Sequence, residues 1–140
     1  MPQRMKIREL MSTKLVTLTE DETLAHAKRC MDRGRIRHLP VVNGPELVGL
    51  VTHRDLLAAS FSILREVHSR DQRRLFVTVP VADVMHRDVI TVDPELPVPE
   101  AARILLRSKF GCLPVVGPNH ELIGLVTEAD FLRLTVRLLS

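Results

Sequence analysis

The phrase HLPVVNGPELVGLVTHRDLL, residues 38–57, occurs a second time as CLPVVGPNHELIGLVTEADFL, residues 112–132. Each copy holds two apolar runs around a turn rich in Gly, Pro and Asn, a pattern that predicts a β-hairpin. The runs are almost wholly apolar, so we expect both faces of these strands to be covered. Both copies end on Gly-Leu-Val-Thr-x-x-Asp. The glycine, Gly49 or Gly124, either lets two backbones pack closely or lets a flat base approach the chain.

The repetition extends upstream of the hairpins. IRELM, residues 7–11, matches VADVM, residues 81–85, which lies 74 positions later. Each copy then has an apolar run that predicts a first strand, Leu15–Leu18 or Val89–Val92. The predicted order in each copy is β-α-β-β-α. Because the period is long and there are two copies, the pattern indicates a duplicated supersecondary unit rather than a solenoid.

The predicted helices have recognisable ends. Thr19 with Glu22 has the spacing of a capping box, and Gly34 suits the end of the helix that follows. A second helix is predicted to start after Thr52 in the first copy and after Thr127 in the second.

The composition limits the classes of function. A formal net charge of +3 is mild, and no recognition helix is evident, so nucleic acid is not a favoured partner. Cys30 and Cys112 have no metal-ligand spacing, which predicts reduced thiols in a cytoplasmic protein. No segment reaches the length of a membrane span. No P-loop, nucleophile elbow or dinucleotide-binding glycine pattern occurs, so we expect no enzyme activity.

The repeated Thr-x-x-Asp ending supports two interpretations. Thr52 with Asp55, and Thr127 with Asp130, have the capping-box spacing, and capping alone, at about 1 kcal/mol, could explain them. A helix that starts directly after a strand also attracts anions, and a carboxylate there can accept hydrogen bonds from a ribose diol. The occurrence of the motif at equivalent places in both copies favours a ligand in addition to the cap.

The chain resembles a stand-alone pair of cystathionine β-synthase (CBS) domains, without an attached enzyme or channel. The resemblance rests on IRELM and VADVM, RHLPVV and GCLPVV, and LVGLVTHRDLL and LIGLVTEADFL. It implies an α+β fold of two tandem β-α-β-β-α repeats, packed through their sheets with pseudo-twofold symmetry. The repeats would span 6–60 and 80–138, joined by a largely helical linker over 61–79.

The resemblance also implies a function. Such pairs are regulatory modules that bind AMP, ADP, ATP or S-adenosylmethionine in clefts between the repeats, with no required cofactor, no metal and no catalytic residues. They often form homodimers, and a partner protein reads their conformational change. The alternative is a structural or dimerisation module that binds no nucleotide.

The family's binding positions can be carried onto this sequence. The family's ribose and phosphate residues fall on Thr52 and Asp55 in one site and on Thr127 and Asp130 in the other. His53 and Arg54, which lie between Thr52 and Asp55, are added as predicted phosphate-binding residues from their own chemistry. The predicted base pocket uses the start of the first strand and the residues before the hairpin: Val16, Thr17, His38, Leu39, Pro40, Ile90, Thr91, Cys112, Leu113 and Pro114.

The two predicted sites differ in charge. His53 and Arg54 follow the first threonine, whereas Glu128 and Ala129 follow the second. A cation beside the start of the helix favours phosphate, and Glu128 opposes it through like charge. We therefore predict that phosphorylated adenosine binds better at the site that holds Asp55.

Overall fold

The chain folds into two compact units of α+β structure. The computed structural model describes residues 4–66 and 69–140. One unit comprises residues 16–89, and the other combines residues 1–15 with residues 90–140. Each described unit holds a two-stranded antiparallel sheet with helices around it. The predicted α+β class is confirmed.

The unit of residues 16–89 is built on the first hairpin. Its elements, in chain order, are α1 (Leu24–Gly34), β1 (His38–Asn43), β2 (Glu46–Thr52), α2 (His53–Glu66) and α3 (Ser69–Thr78). Gly44 takes a φ of 60° in the turn between the strands, a conformation that glycine adopts without strain. The core gathers Leu18, Leu24, Ala27, Met31, Leu39, Val41, Val51, Leu56, Val81 and Met85.

The other unit repeats this plan with the second hairpin. Its elements are α4 (Val98–Arg107), β3 (Cys112–Val116), β4 (Leu122–Thr127) and α5 (Glu128–Leu139). The residue inserted in this copy lies in the turn, where the Gly117 N–H donates to the Glu121 carbonyl. The core gathers Ile7, Val92, Val98, Ala101, Leu105, Leu113, Val115, Val126 and Leu134.

The first strand of each predicted β-α-β-β-α repeat is reduced to a single bridging residue. Leu18 forms a parallel bridge with Val41, and Val92 forms the equivalent bridge with Val115. The Leu18 N–H donates to the Pro40 carbonyl, but proline has no N–H with which to continue the ladder toward residue 16. Pro114 ends the second ladder in the same way. The prediction of full strands over Leu15–Leu18 and Val89–Val92 is therefore wrong in extent.

The opening segment of each repeat packs in the unit that holds the other hairpin. A 3₁₀ turn at Ile7–Glu9 places the fully buried Ile7 in the core with α4 and β3. The equivalent turn at Val81–Asp83 places Val81 in the core with α1 and β1. The compact units are thus offset from the sequence repeats, because each repeat contributes its first turn to the opposite unit.

The ends of α1 differ from the sequence prediction. Thr23 is the N-cap, and its hydroxyl accepts the His26 N–H, whereas Thr19 lies one turn earlier and its N–H donates to Glu22. At the other end Arg35, not Gly34, takes the left-handed conformation, with a φ of 51°. The spacing thus identified the helix but placed both of its caps incorrectly.

The segment predicted as a linker is mostly helical where it is described. Helix α2 continues to Glu66, and α3 runs over Ser69–Thr78; residues 67–68 lie outside the described residues. Phe76 and Val79 pack against the core of the same unit. This segment therefore belongs to the body of that unit.

Candidate functional site

The first Thr-x-x-Asp motif forms a complete capping box at the corner between β2 and α2. The Thr52 N–H donates to Asp55 Oδ2 at 2.7 Å, and the Asp55 N–H donates to Thr52 Oγ1 at 3.2 Å. The reciprocal bonds satisfy two donors that the start of the helix would otherwise leave unpaired. The capping interpretation is therefore confirmed, and any ligand would bind to a corner that is already ordered.

The second motif forms the same corner between β4 and α5. The Thr127 N–H donates to Asp130 Oδ2 at 2.8 Å, and the threonine hydroxyl lies 3.4 Å from the same oxygen. Asp130 is only 7 % exposed, and Thr52 of the first corner is 8 % exposed. Buried polar groups are stable only when they are hydrogen-bonded, and these are.

The second carboxylate oxygen of each aspartate is held differently in the two units. Asp55 Oδ1 lies 2.7 Å from His86 Nε2, whereas Asp130 Oδ1 accepts a hydrogen bond of 2.8 Å from Arg133 Nη2. An ionised carboxylate can only accept, so the Nε2 atom of His86 carries the proton. Each carboxylate has room for about four hydrogen bonds, so acceptor positions remain for a ligand.

Sequence reasoning did not identify His86 or Arg133 as residues of these corners. Arg133 lies three positions after Asp130 on the same helix, and this spacing could have revealed the pair. His86 is 31 positions from Asp55, and nothing in the sequence marks their contact. Arg133 also adds a cation to the second corner, where it pairs with Asp130.

The structure brings part of the predicted base pocket beside each corner. In the antiparallel register His38 lies opposite Thr52, and Cys112 lies opposite Thr127. The His53 N–H also donates to the Arg37 carbonyl at 2.8 Å. In the first unit, the residues before the hairpin and the start of the second helix therefore form one surface.

The other predicted pocket residues differ in their exposure. Val16 and Ile90 are exposed, whereas Thr17 and Thr91 are half-buried. Four further positions are buried: Leu39, Pro40, Leu113 and Pro114. The two leucines belong to the two cores and are 0 % exposed, so they offer no free surface to a ligand in this structure.

Cys112 is buried and unreactive in this environment. Burial raises the pKa of its thiol to about 12, so the sulfur stays protonated at neutral pH. The thiolate is the form that attacks electrophiles and binds metals, so Cys112 serves packing rather than chemistry.

The glycines of the repeated phrase make room for a methionine. A Cβ atom on Gly49 would lie 2.7 Å from Met85 Sδ and 3.0 Å from the carbonyl oxygen of His86, while one on Gly124 would meet the side chain of Met11. Of the two interpretations of these glycines, close packing is the one that the structure supports. The methionines that pack against these glycines, Met85 and Met11, belong to the repeated opening segments.

The first unit also has a groove beside its corner. Its volume is about 290 Å³, close to the lower limit for small-molecule sites, and its lining includes Arg35, Arg37 and His53. Asp32 lies in the same groove. The lining is thus rich in cationic and polar side chains.

Within residues 4–66 and 69–140, no cluster of three or more His, Cys, Asp or Glu side chains could hold a metal ion. No helix in the same part of the chain is long and apolar enough to cross a membrane.

A family model described as "CBS domain" matches residues 7–62 and 81–137. The chain belongs to the CBS-domain family. A CBS domain-containing protein of Dictyostelium discoideum is 33 % identical over 135 residues, which cover 96 % of this chain and 93 % of that protein. An inosine-5'-monophosphate dehydrogenase of Korarchaeum cryptofilum is 38 % identical over 116 residues, 83 % of this chain but only 21 % of the enzyme.

Solved structures of CBS pairs have the same fold. A putative acetoin utilization protein (AcuB) from Vibrio cholerae has a TM-score of 0.85 at 36 % identity, with 97 % of this CBS chain and 95 % of that chain covered. CBSX2, solved in complex with AMP, has a TM-score of 0.79 at 27 % identity, with 96 % and 98 % covered.

Proposed function

We propose that this CBS pair is a regulatory module, not an enzyme, that binds an adenine nucleotide at the corner of Thr52 and Asp55. The observation that carries the proposal is the ordered carboxylate of Asp55, which keeps acceptor positions for a ribose diol beside the exposed side chains of His53 and Arg54. The AMP complex of CBSX2 supports adenosine as the ligand class.

The corner of Thr127 and Asp130 is the proposed weaker site. Glu128 and Asp130 contribute two negative charges there, and Arg133 offsets one of them. At the first corner Asp55 contacts His86, and the exposed Arg54 precedes it in the chain. Phosphate therefore meets less repulsion at the first corner, so AMP, ADP and ATP are the ligands proposed for it.

A thermal-shift series with AMP, ADP, ATP and S-adenosylmethionine tests the proposal. A ligand at 100 times its dissociation constant stabilises the fold by about 2.7 kcal/mol, so we expect at least one of the three nucleotides to raise the melting temperature. Inosine monophosphate is the control for the adenine base. The absence of any shift at millimolar concentration would contradict the proposal.

One observation favours the alternative, a structural module without ligand. Both aspartates already accept bonds from a cap N–H and from a basic side chain, so neither depends on a ligand to be satisfied. A protein that shows no shift with any nucleotide, yet forms a stable dimer, would match this alternative.

We further propose that the module is a homodimer. Helices α2 and α5 carry the same exposed apolar stripe at equivalent positions: Leu57, Phe61 and Leu64 on one, and Leu132, Val136 and Leu139 on the other, each 46–82 % exposed. Apolar stripes at helical spacing favour association with another protein surface. A second copy offers the same stripes, as a twofold interface requires.

Phe61→Glu is expected to convert the dimer to a monomer, because it places a charge in the middle of the stripe on α2. The molar mass in solution, measured by light scattering after size exclusion, provides the test. Leu106→Glu is the matched control, since Leu106 is 86 % exposed but lies on α4, outside both stripes. A wild-type protein that is already a monomer would contradict the proposed dimer.

The remaining parts of the proposal are a regulated partner protein and the cellular compartment. A regulated protein would read the change that the nucleotide produces, which requires that the ligand bind two conformations with different affinity. Both cysteines are free thiols, which suits a reducing compartment such as the cytoplasm.

A further inference from the structure

The contact between Asp55 and His86 joins the candidate site to a distant segment of the chain. His86 follows the 3₁₀ turn at Val81–Asp83 and forms a two-bond bridge with Leu50 of β2, with both N–H···O distances at 2.9 Å. Its backbone is therefore fixed beside the sheet. From there Nε2 reaches Asp55 Oδ1 at 2.7 Å, while Asp55 is only 15 % exposed and His86 is 40 % exposed.

The second unit has the same scaffold but a different contact. Ser12 occupies the position equivalent to His86 and makes the same bridge, with Leu125, at 2.9 and 3.0 Å. There the carboxylate of Asp130 is bound by Arg133, which lies on the same helix. The carboxylate of the first unit is thus tied to another segment, whereas that of the second is tied within α5.

The segment tied to Asp55 ends where the chain leaves the unit. The unit of residues 16–89 ends three positions after His86, and Ile90 begins the chain's return to the other unit. We call residues 84–89, the last residues before the chain passes to the other unit, the crossover. A displacement of the His86 side chain would therefore act on the crossover, whereas a displacement of Arg133 would act on α5, the helix that also carries Asp130.

We propose that His86 is a positioning residue of the first site that couples ligand binding at Asp55 to the crossover at residues 84–89. The inference rests on the proposed function. The imidazole fixes one carboxylate oxygen, so the remaining acceptor positions point in a defined direction when a ribose diol arrives. Because the bond is short and charge-assisted, a change in the orientation of Asp55 is transmitted to His86.

The test compares the full chain with His86→Ala and His86→Gln, using AMP as the probe. We expect AMP to slow amide exchange at residues 84–89 in the wild type. In His86→Ala the Asp55 carboxylate is no longer held in a fixed direction, so we expect the affinity for AMP to fall about tenfold, and the effect on amide exchange at residues 84–89 to disappear. His86→Gln keeps an N–H donor at the end of the side chain and restores both.

Arg133→Ala is the matched control, because it removes the equivalent contact in the second unit and should leave the AMP effect at residues 84–89 unchanged. If His86→Ala binds AMP with wild-type affinity and still shows the effect at 84–89, the coupling is overturned while the proposed function stands. If the wild type itself does not bind AMP, the AMP site and the coupling are overturned together.

Discussion

Asp55→Ala is expected to lower the affinity of the protein for AMP about 100-fold. The substitution removes the carboxylate that would accept two ribose hydroxyls, and a hydrogen bond to a charged group contributes about 1.5–3 kcal/mol. Since about 1.4 kcal/mol corresponds to a factor of ten in affinity, two such bonds predict a loss of at least about 100-fold. Isothermal titration calorimetry with AMP measures it directly.

Two controls separate binding from stability. Asp55→Asn keeps an oxygen that can accept the Thr52 N–H, so it keeps much of the helix cap while it removes the charge. It should lose most of the affinity for AMP with a smaller change in melting temperature than Asp55→Ala. Asp130→Ala should leave the affinity at the stronger site within about threefold, because sites without shared partners act nearly independently.

The opposite pattern would reverse the assignment. If Asp130→Ala abolished AMP binding and Asp55→Ala preserved it, Arg133 would outweigh His53 and Arg54 as the source of attraction for phosphate. Equal losses in both variants would contradict the predicted difference between the two corners.

Gly49→Ala is expected to destabilise the fold by about 1–3 kcal/mol, the usual cost of overpacking a well-packed site. The added Cβ atom would lie 3.0 Å from the carbonyl oxygen of His86, which is fixed by its bond to Leu50, as well as 2.7 Å from Met85 Sδ. The melting temperature should fall by several degrees, as measured by circular dichroism or calorimetry.

Gly124→Ala is the matched comparison in the other unit. The two nearest atoms that its Cβ would meet, Sδ and Cγ of Met11, move when that side chain changes rotamer, and Met11 Cβ lies 3.2 Å away, whereas the contact at Gly49 includes a backbone carbonyl. The loss of stability should therefore be smaller than for Gly49→Ala. A larger loss at Gly124 would show that the methionine contact, rather than the His86 carbonyl, sets the cost.

The sequence predicted the elements whose signals are local. The turn glycine Gly44, the apolar runs around it and the Thr52 to Asp55 spacing each act within a few residues, so the hairpins and the capped corners were predictable. The termination of the first strand was also visible in principle, because Pro40 has no N–H to donate. The spacing alone did not show that Thr23 rather than Thr19 would cap α1.

The contacts that depend on distant segments were not predictable. His86 reaches Asp55 only because the segment from Val81 packs in the unit of the first hairpin, and the repeat pattern assigns that segment to the second copy. The close packing at Gly49 was not predictable for the same reason, since its neighbour Met85 belongs to that segment. The contact of His86 with Asp55 and the packing of Met85 against Gly49 thus both depend on the exchange of opening segments.

The exchange of opening segments between the two units also sets the order in which the units can fold during synthesis. The unit of residues 16–89 is continuous, so it can fold as soon as it leaves the ribosome. The core of the other unit cannot be completed until β3, β4 and α5 have been synthesised, because Ile7 is buried among them. A nascent chain that stalls near residue 100 would therefore leave Ile7 without Leu113, Val115 and Val126, which pack around it in the complete core.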